Sequence, residues 1–145
     1  MESIQRSALV PYTAEEMFAL VSDIESYPRF LPWCSDTRVL SRDSDEVRAS
    51  IEFSVSGLTR SFTTRNRFQI NKIIEIRLVD GPFSRLDGYW QFDRLGEEGS
   101  KISLFMEYDF DNRMLGMVVG PVFNQIANTL VDAFQKRAVE VYGAR

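Results

Sequence analysis

The sequence predicts an α+β domain in which a curved antiparallel sheet wraps around one long C-terminal helix. Two observations predict it. From residue 36 to residue 110, apolar and polar side chains alternate in successive runs separated by short turn signals, the pattern of half-buried strands joined as hairpins. From residue 112 to residue 142 the apolar period lengthens to three and four, which is one face of a helix. The connections are too short for parallel crossovers, so the sheet is an antiparallel meander. A chain of 145 residues fits one domain over its whole length.

In chain order, Ser3 to Val10 reads as a first strand with Ile4, Ala8 and Val10 on one face. Pro11 ends it, having no N–H to give to a ladder. Thr13-Ala14-Glu15-Glu16 is a capping box, in which the Thr13 hydroxyl accepts from the Glu16 amide and the Glu16 carboxylate reaches back. The helix it opens carries Met17, Phe18, Val21 and Ile24 at helical spacing and is expected to run to about Asp23. Pro28 and Pro32 limit the next segment, Ile24 to Cys34, to about one helical turn. Its Tyr27, Phe30, Leu31 and Trp33 are too large and apolar for a free loop, so the segment packs on the domain as a gate or as a plug.

Period two begins at Asp36. Val47, Ala49, Ile51, Phe53 and Val55 alternate with Arg48, Ser50, Glu52, Ser54 and Ser56, and Gly57 turns the chain. Phe62, Thr64, Asn66 and Phe68 share the next inward face, Asn71-Lys72 turns again, and Ile74, Ile76 and Leu78 follow. Asp80-Gly81-Pro82 is a strong breaker. Leu86, Gly88, Trp90 and Phe92 then alternate with Arg85, Asp87, Tyr89 and Gln91. After a turn at Gly96 to Gly99, the last inward set is Ile102, Leu104, Met106, Tyr108 and Phe110. The terminal helix aligns Leu115, Val118, Val119, Val122, Phe123, Ile126, Leu130, Phe134, Ala138 and Val141. Gly116, Gly120 and Pro121 predict a kink or break near Gly120, with Pro121 in the first turn of the main helix, and Gly143 ends it.

Composition excludes several functions. A formal charge of -4 argues against a general nucleic-acid binder, DNA included. There is no histidine, which removes the commonest general base and the commonest metal ligand. With Cys34 as the single cysteine, neither a zinc site nor a serine–histidine or cysteine–histidine nucleophile pair is expected. A solitary cysteine makes no internal disulfide and fits a reducing cytoplasm; Cys34 reads as a small buried hydrophobe. No run of about 18 apolar residues is evident, so no membrane span is expected, and no signal peptide is evident at the start.

A strongly curved sheet does not lie flush on a straight helix. The inward positions mix small or polar groups (Ala49, Thr64, Asn66, Gly88) with large ones (Phe53, Phe62, Trp90, Phe92, Tyr108). This mixture fits the wall of an apolar ligand cavity with a few orienting polar groups. It fits a dry, close-packed core as well, and spacing alone does not choose.

Ser26-Tyr27-Pro28-Arg29-Phe30-Leu31-Pro32-Trp33-Cys34 resembles the signature of the START-like coenzyme Q-binding and ribosome-association-toxin family. Phe62-Thr63-Thr64-Arg65-Asn66 resembles the family's next block, and Leu78-Val79-Asp80-Gly81-Pro82-Phe83, with Leu86, Trp90 and Phe92 after it, resembles the third. The helix from Val122 to Tyr142 is similar in length and pattern, so the likeness covers essentially the whole chain. The opening Ala8-Leu9-Val10-Pro11-Tyr12 is most similar to the family's bacterial ribosome-association branch. The resemblance implies the helix-grip (START/Bet v 1-like) fold, with a hydrophobic tunnel between sheet and C-terminal helix. It implies binding of ubiquinone or a related isoprenoid lipid. The alternative it implies is association with the large ribosomal subunit that blocks subunit joining, and less strongly a polyketide cyclase or dehydratase activity.

Pocket use carried over from the family falls on Phe53, Phe62, Leu78, Leu86, Trp90, Met106, Phe123 and Leu130. Trp33, Thr64, Asn66, Tyr108 and Ala127 complete the candidate ligand site. Asn66 and Tyr108 either hydrogen-bond a quinone carbonyl or satisfy a neighbouring backbone group. Arg60, Arg65, Arg67 and Lys72 form the candidate basic cluster, either a solvated strand face or a contact for ribosomal RNA phosphates. The expected partners are a hydrophobic small molecule, the large ribosomal subunit and, transiently, a membrane surface. No metal or obligatory cofactor is expected. Glu52, Glu75, Asp87 and Glu107 fall on outward faces, so catalysis is not expected unless the register slips by one residue.

Overall fold

The alternating runs form seven strands of one antiparallel sheet in the computed structural model, which describes residues 2–55 and 57–145. Strand β1 (Glu2–Val10) is followed by helix α1 (Ala14–Ser22) and a 3₁₀ turn (Ile24–Arg29). The strands β2 (Cys34–Arg42), β3 (Glu46–Val55), β4 (Leu58–Gln69), β5 (Ile73–Asp80), β6 (Phe83–Leu95) and β7 (Gly99–Phe110) come next, and α2 (Arg113–Tyr142) closes the chain. The sheet order is β1-β7-β6-β5-β4-β3-β2, a meander with β1 added beside β7. This is the predicted helix-grip architecture. Ser56, placed by alternation on an outward face, lies outside the described residues.

Register sets which side chains meet. Ile51 pairs with Phe62, Ala49 with Thr64, Asn66 with Ile76, and Gly88 with both Ile76 and Met106, all on the inward face. Register shifts at Cys34/Asp36, Val39/Ser41, Thr63/Thr64 and Phe83/Arg85 bend the strands, because an extra residue on one strand locally raises the twist. At Gly88 the strands press together: a Cβ there would lie 2.1 Å from the Phe105 carbonyl oxygen and 2.8 Å from Met106 Cα. Only glycine permits that approach.

The α1 capping box forms as expected. The Glu16 amide donates to Thr13 Oγ1 at 3.1 Å, and the Thr13 amide donates to Glu16 Oε1 at 3.0 Å. Met17, Phe18, Leu20 and Val21 are buried, and Phe18 meets Phe68 and Phe92 edge-on. The expected break in the terminal helix is absent: α2 runs as 30 continuous residues through Gly120 and Pro121. Its start is fixed by Asn112, whose Oδ1 accepts from the amides of Met114 (2.9 Å) and Leu115 (3.1 Å). Gly116 and Gly120 face the Phe110 ring. Pro121 withholds an N–H from a part of the helix where Met117 and Val118 are exposed, so water can satisfy the freed carbonyl. The reading that no apolar run reaches membrane length also needs amending. By length and composition α2 passes that test, with a mean hydropathy of 1.3 over 18 residues. Its Val119, Phe123, Ala127, Val131, Phe134 and Ala138 are nonetheless buried in the domain's own core.

The C-terminus is clasped to α1. Tyr142 Oη donates to the Glu16 carbonyl (2.8 Å), Tyr12 Oη to the Gly143 carbonyl (2.6 Å), and Arg145 forms a two-pronged pair with the Glu16 carboxylate (2.6 and 2.8 Å). The Arg145 hydrogen bond, followed by that from the Thr13 amide, holds the Glu16 carboxyl at about 2, against an ordinary 4.5. A carboxyl lowered on folding stabilises the fold above its unfolded value, and that contribution is lost as pH falls toward 2. Arg145→Ala should therefore lower the melting temperature at pH 7, and the deficit should shrink as pH falls from 4.5 and vanish in melts recorded below pH 2. A deficit independent of pH would show that the clasp acts through packing on Tyr12 and Tyr142 instead. Gly88→Ala should cost more than about 2 kcal/mol in urea unfolding, since the collision is with backbone that has no rotamer to escape into.

Candidate functional site

Two aromatic clusters seat α2 on the sheet. Phe123 meets Phe53, Phe83, Tyr108 and Phe110 with ring centroids 4.8 to 5.9 Å apart. Further along the helix, Phe134 meets Tyr27, Phe30 and Trp90 at 5.3 to 5.6 Å. Between them the helix presents Ala127, whose single methyl does not fill the space the flanking rings hold open. A cavity of about 90 Å³ lies there. From α2 it is lined by Phe123, Ile126, Ala127, Leu130 and Phe134. From the sheet come Ile51, Phe62, Thr64, Asn66, Ile76, Leu86, Trp90 and Met106, and from the segment after α1, Ile24, Tyr27 and Trp33.

Ten of the thirteen candidate ligand residues thus share one wall: Trp33, Phe62, Thr64, Asn66, Leu86, Trp90, Met106, Phe123, Ala127 and Leu130. Three do not. Phe53 is fully buried one layer away, wedged against Phe62 and Phe123. Leu78 lies opposite Thr64 in register but near Gly81 at the end of β5, and does not line the cavity. Tyr108 donates its hydroxyl to Asn124 Oδ1 (3.0 Å) and borders a separate open cleft of about 410 Å³ with Glu2, Asp109 and Arg113. Burial, with a smaller push from Glu2, raises its phenol to about 12. Strand parity gives the face of a side chain but not its depth along the strand, so these three were indistinguishable in the sequence from their neighbours. Ile24, Tyr27, Ile51, Ile76, Ile126 and Phe134 were missed. Ile51 and Ile76 could have been found from the inward pairs Ile51–Phe62 and Asn66–Ile76.

The cavity has one polar spot. Thr64 Oγ1 donates to Asn66 Oδ1 at 3.0 Å, both residues being buried. Among the described residues the Asn66 Nδ2 donor has no protein partner. Tyr27 reaches the wall with its ring, while its hydroxyl donates to the Val21 carbonyl. Burial pushes that phenol well above its usual value, so it stays protonated. The Tyr27 to Trp33 segment packs on the domain: Phe30 stacks edge-on to Phe134 beneath the Arg137 guanidinium, and the Ser54 amide donates to the Trp33 carbonyl at 2.9 Å. Cys34 is buried with its thiol raised to about 11, which leaves it an unreactive hydrophobe.

The sequence grouping of Arg60, Arg65, Arg67 and Lys72 does not hold as one cluster. Arg60 pairs in register with inward Phe53, so it leaves the sheet on the inner face at its rim, whereas Arg65 and Arg67 project outward. Lys72 lies in the turn at the opposite end of β4 from Arg60. Proximity in sequence concealed both the parity difference and the length of the strand. Glu75, Asp87 and Glu107 are on the outer face by register, as is Glu52, and Asp87 and Glu107 are paired with Arg85.

A curved antiparallel sheet gripping a C-terminal helix over an apolar cavity is the architecture of the helix-grip ligand-binding proteins. Residues 10–135 match the family described as polyketide cyclase / dehydrase and lipid transport, and the chain belongs to that family, in its coenzyme Q-binding and ribosome-association-toxin branch. It is 43% identical over 145 residues to the ribosome association toxin RatA of Escherichia coli K12, covering all of this chain and 92% of that one. It is 46% identical over 140 residues to RatA of Pseudomonas aeruginosa, with 97% of each chain covered. A mitochondrial coenzyme Q-binding protein COQ10 homolog of Xenopus laevis is 24% identical across 94% of this chain and 58% of its own. Among solved structures, an 18 kDa Caulobacter crescentus protein superposes with a TM-score of 0.76 at 30% identity, covering 99% of this chain and all of that one. The Zhui aromatase/cyclase of Streptomyces sp. R1128 shares the fold alone, with a TM-score of 0.79 at 17% identity and 99% of each chain covered.

Thr64→Val keeps volume but leaves the Asn66 oxygen unpartnered, and should cost about 1–3 kcal/mol in urea unfolding. Thr64→Val combined with Asn66→Leu should recover part of that loss, because an apolar pair leaves nothing unsatisfied. A neutral single substitution would mean that the two side chains are not coupled.

Proposed function

We propose that this protein is a ribosome-association protein of the RatA type built on an apolar-ligand-binding fold, with the ligand held between sheet and α2 and left chemically unchanged. The observation that carries the binding half is the cavity: an apolar wall from three structural elements with one polar spot, Thr64–Asn66. Its size sets a condition. At about 90 Å³ it falls well short of the roughly 300–1,000 Å³ of pockets that enclose drug-sized ligands. In this closed form it admits only a small apolar group. A longer ligand must displace half-buried Trp33, Ile126 or Leu130 at its edge.

A ubiquinone or related isoprenoid lipid suits this wall. Each CH₂ taken from water contributes about 0.8 kcal/mol, and Asn66 Nδ2 is placed to donate to a quinone carbonyl. The likeness to the COQ10 homolog supports the same ligand class. The non-enzymatic reading is supported by the character of the wall: among the described residues it carries no carboxylate, and its one phenol is engaged by the Val21 carbonyl. The ribosome half rests on full-length likeness, at 41–46% identity, to proteins of Escherichia, Shigella, Pseudomonas and Vibrio named ribosome association toxin RatA. In this reading the protein acts in the cytoplasm on the large ribosomal subunit, where binding would block subunit joining.

Trp33 and Trp90 both line the cavity, so a quinone entering it should quench their fluorescence. Delipidated protein titrated with a short-chain ubiquinone should show saturable quenching, and Ala127→Phe, which fills the gap, should abolish it. Native mass spectra of protein purified from cells should carry a prenylated mass. The binding half fails if no lipid co-purifies and no quenching saturates. The ribosome half fails if the protein does not sediment with purified large subunits.

A further inference from the structure

We propose that the outer face of β3, β4 and β5 is a docking surface for the phosphate backbone of structured RNA, centred on Arg48, Arg65 and Arg77. This rests on the ribosome-association reading and names the part of the chain that would meet the subunit. Arg48 lies directly opposite Arg65 across β3 and β4, and Arg65 directly opposite Arg77 across β4 and β5. With strands about 4.8 Å apart, three guanidinium-bearing side chains leave the sheet within about 10 Å. Like charges placed directly opposite one another destabilise a sheet. Two such contacts in succession therefore oppose folding, and a polyanion bound across them reverses the sign of that interaction.

The neighbourhood is consistent with phosphate contact. Arg65 and Arg77 are 41% and 58% exposed at the side chain. Their carboxylate partners, Glu46 at 3.2 Å and Asp87 at 3.6 Å, make surface pairs of little net worth, readily exchanged for phosphate. Arg48 has no carboxylate within ion-pair distance among the described residues, and neither does Arg38 in the next row. That row pairs Arg38 with Ser50 and Ser50 with Thr63, bringing two hydroxyls beside the cations. Arginine and hydroxyl side chains together are the usual donors to phosphate oxygens. Fourteen of the seventeen cationic side chains in the chain are arginine, whose planar fork matches phosphate in two-pronged fashion. Arg67 is excluded, since it lies between Glu46 and Glu75 in register. The row ends in Asp87 and Glu107 on β6 and β7, so a strand of phosphates would be confined to the β3–β5 side. A bilayer is the poorer occupant: an interfacial surface inserts a continuous set of apolar side chains beside its cations, whereas the row's register neighbours are Ser41, Ser50, Thr63 and charged groups, with exposed Leu40 and Val79 as isolated apolar side chains beside it.

The test uses the full chain and three proteins: wild type, R48Q/R65Q/R77Q, and the charge-matched control R29Q/R94Q/R113Q drawn from elsewhere on the surface. The row variant should melt no lower than wild type, because it relieves like-charge contacts. Binding to purified large ribosomal subunits is measured across a salt series. The expected result is a loss of at least tenfold in affinity near 0.1 M salt, with the slope of log K against log salt less negative by about 3, and wild-type behaviour in the control. Equal losses in both variants would reduce the effect to net charge and overturn the proposal. If wild type does not bind subunits, the ribosome reading fails, and the surface is judged on a 20-base-pair RNA duplex. Salt-dependent binding lost only in the row variant would sustain it; no difference would overturn it. Loss of binding to phosphatidylglycerol vesicles with RNA binding intact would also overturn it, in favour of a membrane contact.

Discussion

The seating of α2 on the sheet by Phe123 and Phe134 is the constraint on which the rest depends. The two rings are eleven residues apart on one helix face, about 16 Å along the axis. Each is an almost fully buried member of its own aromatic cluster, and truncating such a ring in a core typically costs about 3–5 kcal/mol. Together they fix both the height and the tilt of the helix over a curved floor. The side chains between them then decide whether the gap closes. Val131 is buried and helps to close it, whereas Ala127 leaves it open. The cavity is a consequence of one small residue between two large supports, and not of any lack of apolar material. The Asn112 cap at one end and the Tyr142–Arg145 clasp at the other keep the helix from sliding along those supports.

Much of this was legible in the sequence, and the reasons for the rest are specific. Alternation located the strands from β3 to β7 because each has one wet face and one dry face, whereas β2 is exposed along most of its length and shows only a partial pattern. The capping box was legible because its two hydrogen bonds are local. The continuity of α2 was not. Gly116, Gly120 and Pro121 are poor helix formers; the Asn112 cap is a local signal that offsets them, and the Phe110 ring beneath both glycines is a tertiary contact that overrides propensity. Face assignment succeeded for Thr64 and Asn66 and said nothing of how far Phe53, Leu78 and Tyr108 lie from the void, because period two carries no information about position along the strand.

The small cavity places the binding question in the mobility of its edge. Trp33, Ile126 and Leu130 are only half-buried, while the rings that support the helix are almost fully enclosed. Elements with less enclosed packing open at lower free energy than those at the centre of a core. Enlargement is therefore easiest at the boundary between the Trp33 segment and the middle of α2, where the half-buried side chains of Trp33, Ile126 and Leu130 meet solvent. The Thr64–Asn66 pair lies on the opposite, rigid wall, carried by a central strand paired on both sides. A fixed polar anchor facing a yielding apolar edge orients a head group while accommodating tails of different length.

One strand serves both surfaces of the molecule. In Thr64-Arg65-Asn66, the first and third side chains line the cavity while the middle one leaves the opposite face between Arg48 and Arg77. A slip of one residue in β4 would put the Arg65 guanidinium into an apolar void and turn Thr64 and Asn66 out to water. An unpaired charge in that void would face a desolvation cost far above anything the outward row loses through like-charge contact. The cavity thus polices the register that assembles the arginine row. The row's own repulsion is tolerated because the inward half of the same strand, packed under Phe123 and beside Trp90, has no second register in which it can remain buried.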